Sequence, residues 1–486
     1  MLLASVIAYL AISVLIGLYV ARNVHNASDY AVAGRHLSLP VVTATVFATW
    51  FGSETVLGIS SEFVEKGLGG IVSDPFGAAL CLILAGLFFA PKLYRLKLLT
   101  IGTYYRVRYN KAVEVFCSIC IILSYLGWVA AQITALGLIF NILSDGAMSQ
   151  STGMIVGALI VLTYTVFGGM ISVAYLDAIQ MVVIIVGLAF IAWVVGDLAG
   201  GVGTVISHAN QAGKLNFFPD TASLALWVPF IGAWLTMMLG SIPQQDVFQR
   251  ITSAKSETVA KQGAVLGGTL YFIIAFIPVF LAYGATLIDP AMFTRLLEED
   301  SQLILPNLVL LHTPVFVQVI FFGALLSAIM STASATLLAP SISFSENVVK
   351  AVFPHIPEKF SLLLMRVCTV IFAICVMFFS LNSELSIFHM VKQAYQITLS
   401  AAFVPLAFGL YWSKATTQGA IVSIVVGVTT YFFGGSPWFF GGLDTEIWPT
   451  HLVALITGSA SIVIFSLLPQ WLPHRPLLRD GVVHSN

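Results

Sequence analysis

The chain has 486 residues, of which only 21 are basic and 22 acidic, 9% in all, while 58% are hydrophobic. Ordinary soluble domains carry about 25% charged residues, so this chain cannot cover a water-facing surface of its own size and requires lipid as its main solvent. The net charge of −1 gives no reason to expect nucleic acid or another polyanion as a partner.

From the N-terminus, the first apolar stretch ends at Ala21 and meets its first positive charge at Arg22, on the far side. With no basic segment ahead of it and no cleavage site, it reads as a retained helix whose N-terminus lies outside. A spanning helix needs about 20 apolar residues. Thirteen such spans are predicted, at 2–21, 39–61, 68–91, 113–143, 151–168, 174–198, 223–242, 262–286, 315–345, 361–381, 386–411, 416–434 and 451–470. With the first N-terminus outside, every Lys and Arg falls on the inner side except Lys66, Lys214, Arg295 and Lys392. That inside bias includes Arg475 and Arg479 and supports both the direction and the number of spans. The expectation is a multi-pass cell-membrane protein, in the bacterial inner membrane, with residues 1–470 as one unit and a short cytoplasmic tail at 471–486. Cys117 and Cys120 have CxxC spacing but no second ligand pair nearby, and read as small apolar helix residues.

Two spans are interrupted. The second reads Ala48-Thr49-Trp50-Phe51-Gly52-Ser53-Glu54-Thr55, with a carboxylate at mid-depth. The seventh reads Leu239-Gly240-Ser241-Ile242-Pro243-Gln244-Gln245. They lie five helices apart, and interrupted helices at matching places of two halves mark a transporter site between inverted repeats. Gly and Pro tolerance in membrane helices explains either one alone, but the pair less readily.

Freed carbonyls in lipid need partners, and a hard cation such as sodium prefers neutral oxygen ligands of this kind. The segment Ser327-Ala328-Ile329-Met330-Ser331-Thr332-Ala333-Ser334 supplies adjacent hydroxyls, with Ala328 one turn before Thr332. Such a cluster serves equally as an ion site or as a helix-packing surface. Glu54, Asp74 and Lys392 also lie at membrane depth, where charge is costly and usually functional. Asp74 faces either the pocket or the outer vestibule, and Lys392 is near enough to a helix end to snorkel. Gln132, Gln393, Tyr395 and Gln396 are candidate pocket liners.

The chain resembles the sodium:solute symporter family over about residues 2–470. The likeness rests on Phe167-Gly168-Gly169-Met170-Ile171-Ser172-Val173-Ala174-Tyr175-Leu176-Asp177, on Gln245-Asp246-Val247-Phe248-Gln249-Arg250-Ile251, and on Ala328 to Ser334. The resemblance implies an all-α fold of the LeuT type: one extra N-terminal helix at 2–21, a first repeat at 39–198, a second at 223–411, and C-terminal helices at 416–470. It also implies a sodium site at Ala48, Phe51, Ala328, Ser331 and Thr332. A second sodium in some members uses an aspartate and two serines; Asp177 and Ser334 match, whereas Ala335 replaces the other serine.

Within the family, the choline-transporter branch is similar at Ala48-Thr49-Trp50, Gly86-Leu87-Phe88-Phe89-Ala90 and Gly240-Ser241-Ile242-Pro243. Trp50 and Trp128 match two members of that branch's aromatic cage, whose faces attract a quaternary ammonium with about 2 kcal/mol when desolvated. Ala78, Gln244 and Val391 replace three other cage aromatics, and Ser400 to Pro405 is more similar to the proline-transporter branch. The expected function is sodium-coupled import of an amine, quaternary ammonium compound or amino acid, with substrate contacts at Trp50, Asp74, Trp128, Gln132, Gln244 and Tyr395. Sodium is the coupling ion, and no other cofactor is expected. The alternatives are a sugar or carboxylate carrier of the same family, or a membrane solute sensor. No HExxH, GxSxG or paired-aspartate signature of an intramembrane enzyme is present.

Overall fold

A computed structural model describes residues 2–437, 439 and 442–473. Arg475, Arg479 and most of the predicted tail lie outside the described residues. In chain order, α1 (Leu2–Val20) precedes α2 (Leu39–Trp50), which breaks before α3 (Ile59–Lys66). Then come α4 (Leu68–Arg95), α5 (Lys111–Leu143) and α6 (Gln150–Leu198). The second half repeats the device: α7 (Leu224–Gly240) breaks before α8 (Gln245–Ser253). It continues with α9 (Glu257–Ile288), α10 (Val315–Ser343), α11 (Ser361–Leu381) and α12 (Ile387–Thr398). The last two helices are α13 (Thr417–Phe433) and α14 (Thr450–Leu467). Among the described residues the only extended pairing is an isolated bridge between Leu37 and Ala254, which joins the inner start of α2 to the end of α8.

Side-chain caps fix several starts. Asn110 accepts from the Val113 amide at 3.0 Å, and Ser149 and Ser256 accept at 3.2 Å from the Thr152 and Val259 amides. Each such cap contributes about 1 kcal/mol. Burial then separates centre from rim. The α10 span is 72% buried and the α1 span 22%, so α10 is the hub and α1 a lipid-facing outrider. The side chains of Leu15, Tyr19, Trp193 and Phe378 stand exposed on the outside, where a hydrocarbon solvent accepts them without the cost that water imposes.

Nine described helices are long and apolar enough to cross a membrane, or ten if the α7–α8 pair, bent by 45°, is one span. The thirteen predicted spans differ from that number at three places. The α2–α3 pair is too short piecewise, α13 has 17 residues, and the predicted spans 151–168 and 174–198 are continuous in α6. An unbroken helix of 49 residues would be about 73 Å long, more than twice the hydrocarbon thickness. It is divided at Gly169, whose φ of 49° and ψ of −148° are not helical.

That conformation belongs almost to glycine alone, and a Cβ at Gly169 would sit 2.5 Å from the Tyr30 ring. Gly169→Ala is therefore expected to destabilise the fold by about 1–3 kcal/mol. Thermal unfolding in detergent should show a midpoint several degrees lower, and an unchanged midpoint would mean that the break does not require glycine.

Candidate functional site

At the break of α2, the Phe51 amide still bonds to the Phe47 carbonyl at 3.0 Å, but Phe51 leaves helical geometry with ψ of 77°. Carbonyls of the last turn, Ala48 among them, therefore lack regular helical partners. The Ala48 oxygen is met instead from α10: Ser331 Oγ lies 3.1 Å away and Thr332 Oγ1 3.2 Å away. Ser331 Oγ is also 2.5 Å from Asp177 Oδ1, and Thr45 Oγ1 donates to Asp177 Oδ2 at 2.5 Å. One serine proton cannot serve both Ala48 and Asp177, so these oxygens are collected more closely than their own hydrogens can satisfy. Ala48, Ser331, Thr332 and Asp177 are thus brought together, with Phe51 and Ala328 fully buried beside them. Ser334 is turned away from Asp177, since its hydroxyl donates to the Ser331 carbonyl at 2.9 Å.

A cation from α8 reaches this cluster through a chain of hydroxyls. Arg250 Nε donates to Thr49 Oγ1 at 2.7 Å, and Thr49 donates to the Thr45 carbonyl at 2.6 Å. Arg250 is buried, and its field reaches both Asp177 and Asp246. Asp246 in turn accepts from Tyr125 OH on α5. Four helices, α2, α5, α6 and α8, are tied to one another by this network of hydrogen bonds.

Beside the break lies an aromatic cluster. Trp50 stacks on Tyr395 with ring centroids 5.6 Å apart and meets Trp128 edge-on at 5.6 Å. Trp128 meets Tyr395 at 5.3 Å, and Tyr271 closes a further side at 6.5 Å from Trp50. Two carboxylates enter this cluster. Glu54 accepts from Trp128 Nε1 at 3.2 Å and from Gln132 Nε2 at 2.6 Å. Asp74 accepts from Tyr271 OH, which also contacts Thr55 Oγ1 at 3.1 Å. Asp74 is only 2% exposed, buried against Tyr271. Among the described residues neither Glu54 nor Asp74 has an ion-pair partner.

Trp50, Trp128, Gln132, Tyr395 and Asp74 therefore converge. Gln244 sits at the α7–α8 break, where it donates to Ser124 at 3.0 Å. Two expected liners do not converge: Gln393 is exposed, and Gln396 lies beside Tyr431 at 3.3 Å. On α12 the inward face carries Val391, Ala394, Tyr395 and Thr398, and neither glutamine shares that stripe. Lys392 is half-buried near the outer end, with Nζ 5.9 Å from the Phe388 ring. Tyr271 and Thr45 were not anticipated, since their partners Asp74 and Asp177 are distant in the chain. Arg250 and Asp246 stand one turn apart inside a recognised motif, a spacing that does signal a shared face.

The model of the sodium:solute symporter family matches residues 30–427. The high affinity choline transporter 1 of Homo sapiens is 27% identical, over 97% of this chain and 85% of its own. The high-affinity proline transporter PutP of Bacillus subtilis is 26% identical, over 94% and 96% respectively. A Na+-coupled sialic acid symporter, solved in a substrate-bound outward-open state, superposes with a TM-score of 0.80 at 20% identity. It covers 98% of this chain and 99% of its own, a likeness of fold.

Proposed function

The chain belongs to the sodium:solute symporter family, and on that premise we propose that it imports a small ammonium-bearing solute, an amine, quaternary ammonium compound or amino acid, together with sodium. The observation that carries the substrate class is the pair of buried carboxylates, Glu54 and Asp74, set among four aromatic rings without a cation of their own. Aromatic faces and unpaired carboxylates both favour positive charge, and neither favours a sugar or a carboxylate. The choline and proline carriers among its relatives are consistent with an ammonium-bearing substrate. On this reading Trp50, Trp128, Tyr395 and Asp74 contact the substrate, Gln132 supports them through Glu54, and Gln244 lies on the inward exit path.

Sodium is assigned to Ala48, Phe51, Ala328, Ser331 and Thr332, supported by the convergence of both hydroxyls on the Ala48 oxygen. Bound there, it would hold the broken α2 against α10 and favour the state that accepts substrate. Asp177 is the acidic neighbour of that site and the candidate for a second ion, which Ser334 would join only by turning its hydroxyl. One positive charge moving inward through 100 mV contributes about 2.3 kcal/mol, roughly fifty-fold accumulation. The repeats at 39–198 and 223–411 each open on a broken helix, which supports pairing them. The N-terminus is placed outside, on the distribution of Lys and Arg. A cleft lined by Glu62, Glu65, Glu298, Glu299 and Asp300 then opens to the outside and would concentrate cations at the mouth.

Two outcomes test this reading. Ser331→Ala or Thr332→Ala should raise the sodium concentration for half-maximal uptake several-fold at near-normal folded yield; unchanged sodium dependence in both variants would move the site elsewhere. For the substrate, Trp50→Leu should weaken binding at least tenfold, an order expected from losing about 2 kcal/mol of cation–π attraction, and Trp50→Phe much less. Competition by choline, betaine and proline supports the ammonium class, while displacement only by sugars or carboxylic acids refutes it.

A further inference from the structure

Gly52, at the break of α2, is fully enclosed by oxygen. A methyl carbon built on its Cα would lie 2.6 Å from Thr332 Oγ1, 2.7 Å from Glu54 Oε2 and 2.8 Å from Gln132 Oε1. These atoms come from three different helical segments: the central α10, the turn that follows the break, and α5. Their aim is held by their other bonds. The Ser53 amide donates to Gln132 Oε1 at 2.9 Å, which fixes the carboxamide with its oxygen towards Gly52. Trp128 Nε1 holds the other oxygen of Glu54 at 3.2 Å.

The donor set is one carboxylate, one amide oxygen and one hydroxyl, all buried. It contains neither sulfur nor imidazole, and among the described residues no three His, Cys, Asp or Glu side chains gather anywhere. Neutral oxygens around a single negative charge match a hard monovalent cation, in both ligand type and net charge. The space in front of Gly52 is too tight for a methylated ammonium, yet the missing side chain leaves room for a bare ion to stand off the Cα. Ser53 Oγ, fully buried at the same bend, has no protein partner, and is a further neutral oxygen within the same turn.

We propose that Glu54, Gln132 and Thr332, in place of Asp177 and Ser334, form the second sodium site, in front of Gly52 and distinct from the one assigned to Ala48, Phe51, Ala328, Ser331 and Thr332. The inference rests on that first assignment, because Thr332 stands between the two sites and faces both. Glu54 then has three neighbours of consequence: the Gln132 carboxamide, whose Nε2 donates to Oε2 at 2.6 Å, the ion beside that same oxygen, and the Trp128 indole on Oε1. Occupancy by sodium would fix Glu54 and, through it, Trp128, the wall of the aromatic cluster. Sodium would thereby prepare the substrate pocket directly, whereas the first ion acts on the packing of α2 against α10. Asp74, which bonds only through Tyr271 on the far side, is left as the counter-charge for the substrate.

The test uses the purified full chain and sodium chloride alone, at constant ionic strength with potassium chloride, read by tryptophan fluorescence and thermal stability. The wild type is expected to titrate with a Hill coefficient near two. Glu54→Gln should lower it to near one, leaving a component that Ser331→Ala in turn removes. Glu54→Asp, which keeps the charge but withdraws it by one methylene, should keep two components with the second weakened about tenfold; it also covers the case in which Glu54→Gln fails to fold. A Glu54→Gln titration identical to wild type overturns the second site while leaving the first intact. A fluorescence change at Glu54 that follows pH and ignores sodium overturns it in favour of a proton. A wild type indifferent to sodium overturns both assignments together.

Discussion

The arrangement depends on one unsatisfied backbone oxygen. In a bilayer a free carbonyl costs several kcal/mol, and the break of α2 at Phe51 releases that of Ala48 in the middle of the molecule. The hydroxyls of Ser331 and Thr332 reach it from α10, the most deeply buried span. The position of α2 is thus determined by a contact that a small cation can strengthen and whose loss releases a helix. Packing around it is tight: Cβ atoms at Gly263 or Gly267 on α9 would lie 2.4 Å and 2.6 Å from side-chain atoms of Val42 and Val46 on α2. A break in α2 therefore moves neighbours as bodies, because close-packed surfaces do not deform continuously.

Charge follows the same logic. Four carboxylates, Glu54, Asp74, Asp177 and Asp246, are buried in the region of the break, with the buried guanidinium of Arg250 among them. Among the described residues none of the four forms an ion pair, and Arg250 bonds instead to Thr49 Oγ1 at 2.7 Å and to the Asp246 carbonyl at 3.4 Å. Burying an unpaired carboxylate is expensive, and a carrier that loads cations there converts that cost into affinity.

Much of this was legible in the chain. The spans emerge because hydrocarbon thickness imposes a length on apolar runs, and the breaks emerge because Gly52, Gly240 and Pro243 weaken helices in otherwise uniform stretches. The hydroxyl pair at Ser331 and Thr332 is visible but ambiguous, since small hydroxylated residues also pack helices; that both meet the Ala48 oxygen is a contact distant in the chain that no local pattern marks. Gln393 and Gln396 were misplaced although the apolar stripe of Val391, Ala394, Tyr395 and Thr398 already excluded them from the inward face. Tyr271 was illegible for a different reason: its partner Asp74 is distant in the chain, and no local pattern marks a tyrosine as the donor to a remote carboxylate.

The central claim is that sodium drives the accumulation of an ammonium-bearing solute. It is tested most directly by loading proteoliposomes containing the full chain with potassium buffer and imposing an inward sodium gradient in the presence of labelled choline, betaine, proline or simple amines. The account predicts that at least one of these accumulates above its external concentration, that an inside-negative potential raises the plateau, and that replacing sodium by potassium abolishes it. Equal uptake in potassium, or uptake driven by a pH gradient alone, would contradict it.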